Sequence, residues 1–336
     1  MRLARRSVIL FATAITGLGL AAVPVAASAS SPSGMTGVPS CIKVAAVIPA
    51  GTSPTGIAAD PRTGRVYVAE QSSGTVSVIS SRTGTVVATI PVYGNTWSAA
   101  VDPRTDMIYV TDGAGSFYVS VISGRTNTVV ATIPVPQAIE LAVDPATDII
   151  YAANNTIDGT VSVISGRTDK VTGTVSVGKY PYGVAANPRT NTIYVTNSGG
   201  NTVSVIDGNT DAVTATIRVG SAPDPVTVNP AANTVYVGSL YRVRVINGRT
   251  DTVTAAIRSA PVGLAVNPRA DTLYVAQRNG RVQLISGATN KVTARVRVST
   301  YTAGAAVIPR TGIAYVTNES ADTVSVLRSC RHHPAA

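Results

Sequence analysis

The chain has 336 residues, of which 45% are hydrophobic and only 13% are charged, and its formal net charge is +10. It is long enough to bury a sizeable core, as one large β or α/β domain or as two smaller domains. The only histidines are His332 and His333, near the C-terminus. This argues against a histidine-based metal site, general base or Ser-His-Asp triad in the rest of the chain.

The first 29 residues have the features of a signal peptide. A basic start, "MRLARR", is followed by the apolar stretch "SVILFATAITGLGLAAVPV" and by a small-residue cleavage motif at Ala27–Ala29. A membrane anchor is the alternative, but the polar residues that follow favour cleavage. "RRSVIL" also resembles a twin-arginine export signal, so the export route stays open. We predict a signal peptide over 1–29, a linker over 30–40 and a secreted or cell-surface protein without a later transmembrane span.

One pattern then recurs seven times at intervals of about 42 residues, for example as "DPRTGRVYVAE" and "NPRTNTIYVTN". The copies begin at Asp60, Asp102, Asp144, Asn187, Asn229, Asn267 and Ile308. Internal repetition with this period is typical of arrays built from one small structural unit.

Each copy contains four short segments with period-two alternation and many β-branched residues, and none has a helical period. Turns of the Asx-Pro, Gly/Asn-rich and S-G-R-T types separate these segments. Four strands per copy are typical of a β-propeller blade. A solenoid is the alternative, but its end repeats should be modified as polar caps, and these end copies resemble the middle ones. We predict an all-β, seven-bladed β-propeller with four antiparallel strands per blade over 41–330, and a disordered tail over 331–336.

The two ends of the repeat region indicate how the ring closes. The seventh copy has no fourth strand after "TVSVLRSC", whereas "CIKVAAVIPAG" before the first copy resembles the fourth strands of other copies. Aligning both segments with complete copies places Cys41 and Cys330 at adjacent positions of one turn. We therefore predict that the N-terminal strand completes the last blade, and that a Cys41–Cys330 disulfide joins the two ends.

Antiparallel strands place successive turns of a blade on alternating faces of the ring. The Asx-Pro and S-G-R-T turns share one face, which we call the bottom face. The links between blades and the turns after "YVTN" share the other, which we call the top face.

The tetrapeptide "YVTN" at Tyr194–Asn197 and Tyr315–Asn318, the run "NPRTNTIYVTNSGGNTVSVID" and the blade length resemble the YVTN-repeat β-propeller family. The resemblance covers essentially all of 41–330. It implies a seven-bladed ring at the cell surface or outside the cell, as in extracytoplasmic bacterial proteins and archaeal surface layers. It implies no catalytic residues, because the family is defined by its scaffold.

Motifs for common cofactors are lacking. The sequence has no P-loop, no GxGxxG after a strand, no CxxC and no EF-hand loop, so we expect no cofactor or metal. Mechanisms that use only Asp or Glu stay open. Seven of the 13 tyrosines occupy the same position of each copy, where we expect them to pack between blades.

The residues that interrupt the repeat are the candidates for function. The other six tyrosines, Trp97, Phe117, the three glutamates and Asp224 all map to the top face. Aromatic rings beside carboxyl groups suit sugar rings, peptides or small apolar ligands, whereas plugging of the channel mouth is the alternative. The candidate ligand-binding residues are Trp97, Tyr93, Glu140, Tyr180, Tyr182, Asp224 and Tyr301. Of these, Glu140 and Asp224 are candidates for an acid or for metal binding, with surface solubility as the alternative.

A second asymmetry is electrostatic. Residues 218–297 contain ten arginines and one lysine but only three aspartates. Such a sector suits nucleic acid, teichoic acid or anionic lipid headgroups, whereas a solvated exterior with charged edge strands is the alternative. The candidate anion-binding residues are Arg242, Arg244, Arg281, Arg295 and Arg297.

Three functions are therefore compatible with the sequence. The leading hypothesis is a monomeric, non-enzymatic binding or scaffold module that recognises a glycan, peptide or protein of the cell envelope through the top face. The first alternative is a metal- or carboxylate-dependent lyase or hydrolase at the mouth of the channel. The second is binding of an anionic polymer by the arginine-rich sector.

Overall fold

The computed structural model describes residues 38–92, 94–112 and 117–330. The predicted signal peptide, most of the predicted linker, Tyr93 and the predicted tail lie outside these ranges. The described residues form seven four-stranded antiparallel sheets, and one 3-10 turn, Glu319–Ala321, is the only helical element among them. The prediction of a seven-bladed β-propeller is confirmed.

Each blade consists of four strands, and the blades are numbered in chain order. Blades 1 and 2 contain β2 (Pro54–Ala59), β3 (Arg65–Glu70), β4 (Thr75–Ser80), β5 (Thr85–Pro91), β6 (Thr96–Asp102), β7 (Met107–Asp112), β8 (Tyr118–Ser123) and β9 (Thr128–Pro134). Blades 3 and 4 contain β10 (Ala138–Asp144), β11 (Ile149–Asn154), β12 (Thr160–Ser165), β13 (Lys170–Ser176), β14 (Pro181–Asn187), β15 (Thr192–Asn197), β16 (Thr202–Asp207) and β17 (Ala212–Arg218). Blades 5 and 6 contain β18 (Val226–Asn229), β19 (Thr234–Ser239), β20 (Arg242–Asn247), β21 (Thr252–Arg258), β22 (Pro261–Asn267), β23 (Thr272–Gln277), β24 (Arg281–Ser286) and β25 (Val292–Arg297). Blade 7 contains β26 (Ala305–Ile308), β27 (Ile313–Asn318), β28 (Thr323–Ser329) and the N-terminal strand β1 (Ile42–Pro49).

The four strands of a blade run from the centre of the ring to its rim. The first strand of each blade contacts the first strands of both neighbouring blades, so these seven strands surround a central channel. The second and third strands are almost entirely buried, whereas the fourth strands are largely exposed. The core therefore lies between adjacent blades, and side chains on the first strands are the ones placed to reach the channel.

The ring closes as the sequence predicts. Strand β1 pairs antiparallel with β28, with Ile42 opposite Ser329, and completes blade 7. Immediately beyond this pair, Cys41 and Cys330 form a disulfide whose Cα atoms are 5.4 Å apart. The bond joins residues 289 positions apart in the sequence, so it covalently closes almost the whole ring.

The Asx-Pro turns are built as the sequence indicates. Asp60 Oδ1 accepts a hydrogen bond of 2.7 Å from the backbone N–H of Arg62, and Asn187 Oδ1 accepts the equivalent bond from Arg189 at 3.1 Å. These side chains satisfy donors that the sharp turn leaves outside the strand ladder.

The repeated "YVTN" is architectural. Tyr194 is fully buried. Thr196 Oγ1 accepts a 2.8 Å hydrogen bond from the Gly183 N–H and donates a 2.9 Å bond to the backbone oxygen of Asp224 in the next blade. Asn197 donates to Thr202 Oγ1 at 3.0 Å and thereby braces the β15–β16 hairpin. The tetrapeptide thus fills one interface, links two blades and fixes one turn.

Candidate functional site

A cavity of about 410 Å³ occupies the top end of the central channel. All seven blades contribute to its wall, each through its first strand or through the link that leads into that strand. Arg278 and Glu319, which follow the second strands of blades 6 and 7, also line it. The polar and aromatic side chains of the wall belong to Thr55, Trp97, Glu140, Tyr182, Asp224, Arg278, Tyr301, Thr302 and Glu319. Side chains that lie far apart in the sequence therefore converge at one site.

Glu140 departs from the architecture of the repeat. At its position in the first strand, four of the seven blades have a glycine, namely Gly56, Gly183, Gly263 and Gly304. A Cβ atom at Gly183 would lie 2.2 Å from the backbone oxygen of Asp224 in the next blade, so close approach between blades favours glycine there. The fold itself therefore does not require a glutamate at this position.

The carboxyl group of Glu140 is held in place by a neighbouring blade. Ser98, which occupies the equivalent position in blade 2, donates a 2.7 Å hydrogen bond from its Oγ to Glu140 Oε1. Burial raises the pKa of Glu140 from 4.5 to about 7; the Ser98 bond lowers it, and the nearby Asp224 adds to the rise. Because the carboxyl group faces the cavity, Glu140 still keeps partial contact with solvent. Glu140 therefore exchanges its proton near neutral pH.

Asp224 supplies a second acid with a similar pKa. It precedes the first strand of blade 5 and is half-buried. Burial raises its pKa from 3.8 to about 7, against the opposing effect of the Arg278 guanidinium. Two acids that titrate near pH 7 thus share one cavity, and each ionised carboxylate disfavours ionisation of the other.

Aromatic side chains complete the wall. Burial, followed by the charges of Asp224 and Glu140, raises the pKa of the Tyr182 hydroxyl, and the neighbouring indole of Trp97 opposes this rise. The hydroxyl therefore stays protonated. On another side, Arg278 donates a 2.7 Å hydrogen bond to the hydroxyl of Tyr301. Its guanidinium carbon lies 5.4 Å from the centroid of the same ring, which is within cation–π range.

Five of the seven predicted ligand-binding residues line this cavity, namely Trp97, Glu140, Tyr182, Asp224 and Tyr301. The other two do not contribute to it as described. Tyr180 lies in the link before β14, with 43% of its side chain exposed, and Tyr93 lies outside the described residues. Another top-face glutamate, Glu70, is buried and accepts a 2.6 Å hydrogen bond from the Gly51 N–H, so its role is structural.

The predicted anion-binding arginines lie elsewhere. Arg242, Arg281, Arg295 and Arg297 are exposed on the third and fourth strands of blades 5 and 6. Arg244 is half-buried, and its Nε donates a 3.0 Å hydrogen bond to the backbone oxygen of Val219. Arg244 therefore joins blade 5 to blade 4.

The sequence-based candidates omit Arg278 and Ser98. Arg278 belongs to the turn after β23, a top-face position that the repeat alignment identifies, but the abundance of arginines around it hides its role. Ser98 occupies the repeat position at which glycine predominates. A comparison of that single position among the seven copies would have identified both Ser98 and Glu140.

The described residues contain no cluster of three or more His, Cys, Asp and Glu side chains that is placed to hold a metal ion. In the same part of the chain, no helix has the length and apolar character needed to span a membrane.

Comparison with known proteins supports the fold and leaves the function open. Among solved structures, the chain is similar to hydrazine synthase of Kuenenia stuttgartiensis, with a TM-score of 0.76 and 18% identity over 83% of this chain and 96% of that one. At this identity the likeness shows the propeller fold alone. No protein-family model matches the chain, so membership of the YVTN-repeat family stays a prediction. No curated protein matches it either.

Proposed function

We propose that this propeller is an extracytoplasmic binding protein that recognises a glycan in the cavity at the top of its channel. The observation that carries the proposal is the convergence of Trp97, Tyr182, Glu140 and Asp224 on one cavity. The fold alone would not distinguish a receptor from a scaffold, but a concave site with several converging polar groups is typical of ligand recognition.

The chemistry of the wall favours a sugar over an apolar ligand. The rings of Trp97, Tyr182 and Tyr301 offer flat apolar faces of the kind on which sugar rings stack. Near pH 7, Glu140 and Asp224 can each accept a hydrogen bond when ionised or donate one when protonated. Sugar hydroxyl groups also donate and accept, so they can pair with either state. The cavity volume of about 410 Å³ lies within the range of small-molecule sites, which suits the end of a chain or a short oligosaccharide.

The proposed location outside the cell has separate support. The Cys41–Cys330 disulfide is typical of proteins that fold in an oxidising compartment. The N-terminal sequence pattern predicts export, although that segment lies outside the described residues. A glycan of the cell envelope is therefore the ligand class we favour.

Calorimetric titration with soluble oligosaccharides tests the proposal. N-acetylchitotriose, cellotriose and mannotriose, together with a digest of the host cell wall, would each be titrated into the protein. We expect at least one to bind, and Trp97→Ala and Tyr182→Ala to weaken binding about tenfold or more, because each removes a stacking face. Phe117→Ala, which removes an exposed aromatic ring on the same face outside the cavity, is the matched control. Equal binding by all these variants would refute the site.

A second candidate function rests on the two acids. Glycoside cleavage uses a pair of carboxyl groups, one protonated as general acid and one ionised as base or nucleophile. Glu140 and Asp224, whose pKa values are both about 7, can adopt that mixed state near neutral pH. Turnover of the bound oligosaccharide, detected as new reducing ends, would support this function. Loss of turnover with retained binding in Glu140→Gln would assign the acid, and binding without turnover in the wild type would exclude the reaction for that sugar.

A further inference from the structure

Blades 5 and 6 each place two arginines opposite each other at the top face. Arg242 faces Arg258 across β20 and β21, and Arg281 faces Arg297 across β24 and β25. All four are exposed. In each pair, one arginine is the first residue of a third strand and the other is the last residue of a fourth strand. Both positions lie at the top edge of the blade.

The other blades have no such pairs. At the same register positions they carry Thr75 with Pro91, Tyr118 with Pro134, Thr160 with Ser176, Thr202 with Arg218 and Thr323 with Pro49. Like charges directly opposite each other in a sheet are destabilising. Two adjacent blades therefore share a feature that the fold disfavours and that a bound anion would stabilise.

Exposed apolar side chains lie on the same face. Leu240 and Tyr241 form the tip of the hairpin that leads into Arg242, and they are 56% and 74% exposed. Phe117 and Ile157 are exposed in top-face loops of blades 2 and 3, and Tyr180 is exposed in the link from blade 3 to blade 4. Tyr118, the first residue of the third strand of blade 2, is 39% exposed at the same face. Every other exposed large apolar residue in the described ranges is a valine of a fourth strand, and none lies in a bottom-face turn.

We propose that the top face docks on a lipid surface that carries anionic headgroups, with the Leu240–Tyr241 tip at the interface and the two arginine pairs on the phosphates. Arginine forms paired hydrogen bonds with phosphate oxygens. Tyrosine and leucine side chains enter the boundary between headgroups and acyl chains. This inference goes beyond glycan recognition, and it uses none of the residues named in the cavity.

A lipid surface fits these observations better than a soluble anionic polymer. A phosphodiester chain would use the arginines and could stack on Tyr241, but it would have no use for Leu240 or Ile157. The exposed apolar side chains of the top-face loops also belong to blades 2, 3 and 5, so they lie at separate points of one face. A lipid surface extends across the whole face, whereas a single strand that follows the arginine rim would leave most of these side chains in water.

Vesicle co-sedimentation tests the proposal. Vesicles of phosphatidylcholine alone would be compared with vesicles containing about 30% phosphatidylglycerol, at low and at high salt. We expect binding to the anionic vesicles and a steep loss of that binding in high salt, because screening weakens charge attraction at the surface. Absence of binding to the anionic vesicles, or equal binding to both kinds, would overturn the proposal.

Matched variants test the sidedness of the interaction. Arg242→Gln with Arg258→Gln should weaken binding about 25-fold, at about fivefold for each arginine. Arg249→Gln with Arg269→Gln removes the same charge from the bottom face of blades 5 and 6 and should leave binding unchanged. Equal losses in both double variants would show a net-charge effect and would overturn the proposed orientation.

The apolar tip separates lipid from polymer. Leu240→Ser with Tyr241→Ser should weaken vesicle binding about tenfold or more, because buried apolar area is lost. Val87→Ser with Val130→Ser, at comparably exposed positions of outer strands, is the control, and thermal midpoints would verify that all variants are folded. Single-stranded oligothymidylate is the competing probe. If it bound as tightly as the anionic vesicles, and the tip variant bound both normally, the partner would be a polymer and the lipid proposal would be wrong.

Discussion

Replacement of Glu140 by glutamine should stabilise the protein at high pH and have little effect at low pH. Glutamine preserves the size of the side chain and mimics the protonated acid. The change therefore removes only the ability to ionise at a position where ionisation opposes folding. The hydroxyl of Ser98 remains able to donate its hydrogen bond to the amide oxygen.

The size of the effect follows from the pKa. Folding raises the pKa of Glu140 from 4.5 to about 7, and each unit corresponds to about 1.4 kcal/mol, so ionisation costs the folded state about 3 kcal/mol. Since the folded pKa lies above the unfolded one, this penalty is absent well below pH 4.5. It develops between pH 4.5 and 7 and is complete above pH 7. Between about pH 5 and pH 8, the advantage of Glu140→Gln over wild type should grow by about 2–3 kcal/mol.

Urea unfolding of both proteins at the two pH values measures this difference. Ser98→Ala should instead lower the free energy of unfolding at high pH. Loss of the hydrogen bond to the Glu140 carboxylate makes its ionisation in the folded state still less favourable. Glu319→Gln controls for the loss of one negative charge from the same face. If the difference between Glu140→Gln and wild type were the same at both pH values, Glu140 would not be a buried acid in contact with the cavity.

Three further predictions concern the ring and the cavity. Cys41→Ser with Cys330→Ser should lower the free energy of unfolding by about 2–5 kcal/mol, because the broken disulfide no longer restricts the unfolded chain; an unchanged urea midpoint in the absence of reductant would contradict this. Thr196→Val should lower it by about 1–3 kcal/mol, because the Gly183 N–H and the Asp224 backbone oxygen lose their partner between blades. Exposed Thr210→Val is the control, and an equal effect of both changes on the urea midpoint would refute the link. Finally, the emission of Trp97, the only tryptophan, should change with pH around 7 as Glu140 and Asp224 titrate as a coupled pair; a titration that persists unchanged in Glu140→Gln with Asp224→Asn would have another source.

The architecture was predictable because each copy of the repeat contains the same local sequence patterns for strands and turns. Alternating β-branched residues specify strands, and the Asx-Pro and glycine-containing turns reverse the chain at fixed intervals. The blade tyrosines are buried, as the repeat predicts. The closing strand and the disulfide were predictable for the same reason, since aligning the two ends with complete copies fixes the register of Ile42 opposite Ser329.

The cavity was only partly predictable. Mapping onto the repeat identifies the top face, but it does not give the distance of a side chain from the channel axis. Tyr180 and Tyr182 are two positions apart, yet only Tyr182 lies on a first strand and reaches the cavity. Tyr180 precedes that strand in a left-handed conformation with φ of 50°, and its side chain is exposed.

The electrostatics of the site could not be predicted from one segment at a time. The pKa of Asp224 depends on burial and on Arg278, which follows a strand of the next blade. The pKa of Glu140 depends on burial, on Ser98 from blade 2 and on Asp224 from blade 5. Each of these pKa values depends on groups from different blades that come together around the channel. A local sequence pattern therefore cannot predict it.

A titration of Trp97 fluorescence with the oligosaccharide panel and the cell-wall digest tests directly whether the cavity is the glycan site. Trp97 lines the cavity. It is the only tryptophan of the chain, so no other indole contributes to the emission. If the cavity is the glycan site, a binding sugar should change the emission of Trp97 with saturation at the calorimetric affinity, and Tyr182→Ala should shift the curve to higher concentration. Calorimetric binding without any change in Trp97 emission would place the ligand elsewhere and show that the cavity is not the glycan site.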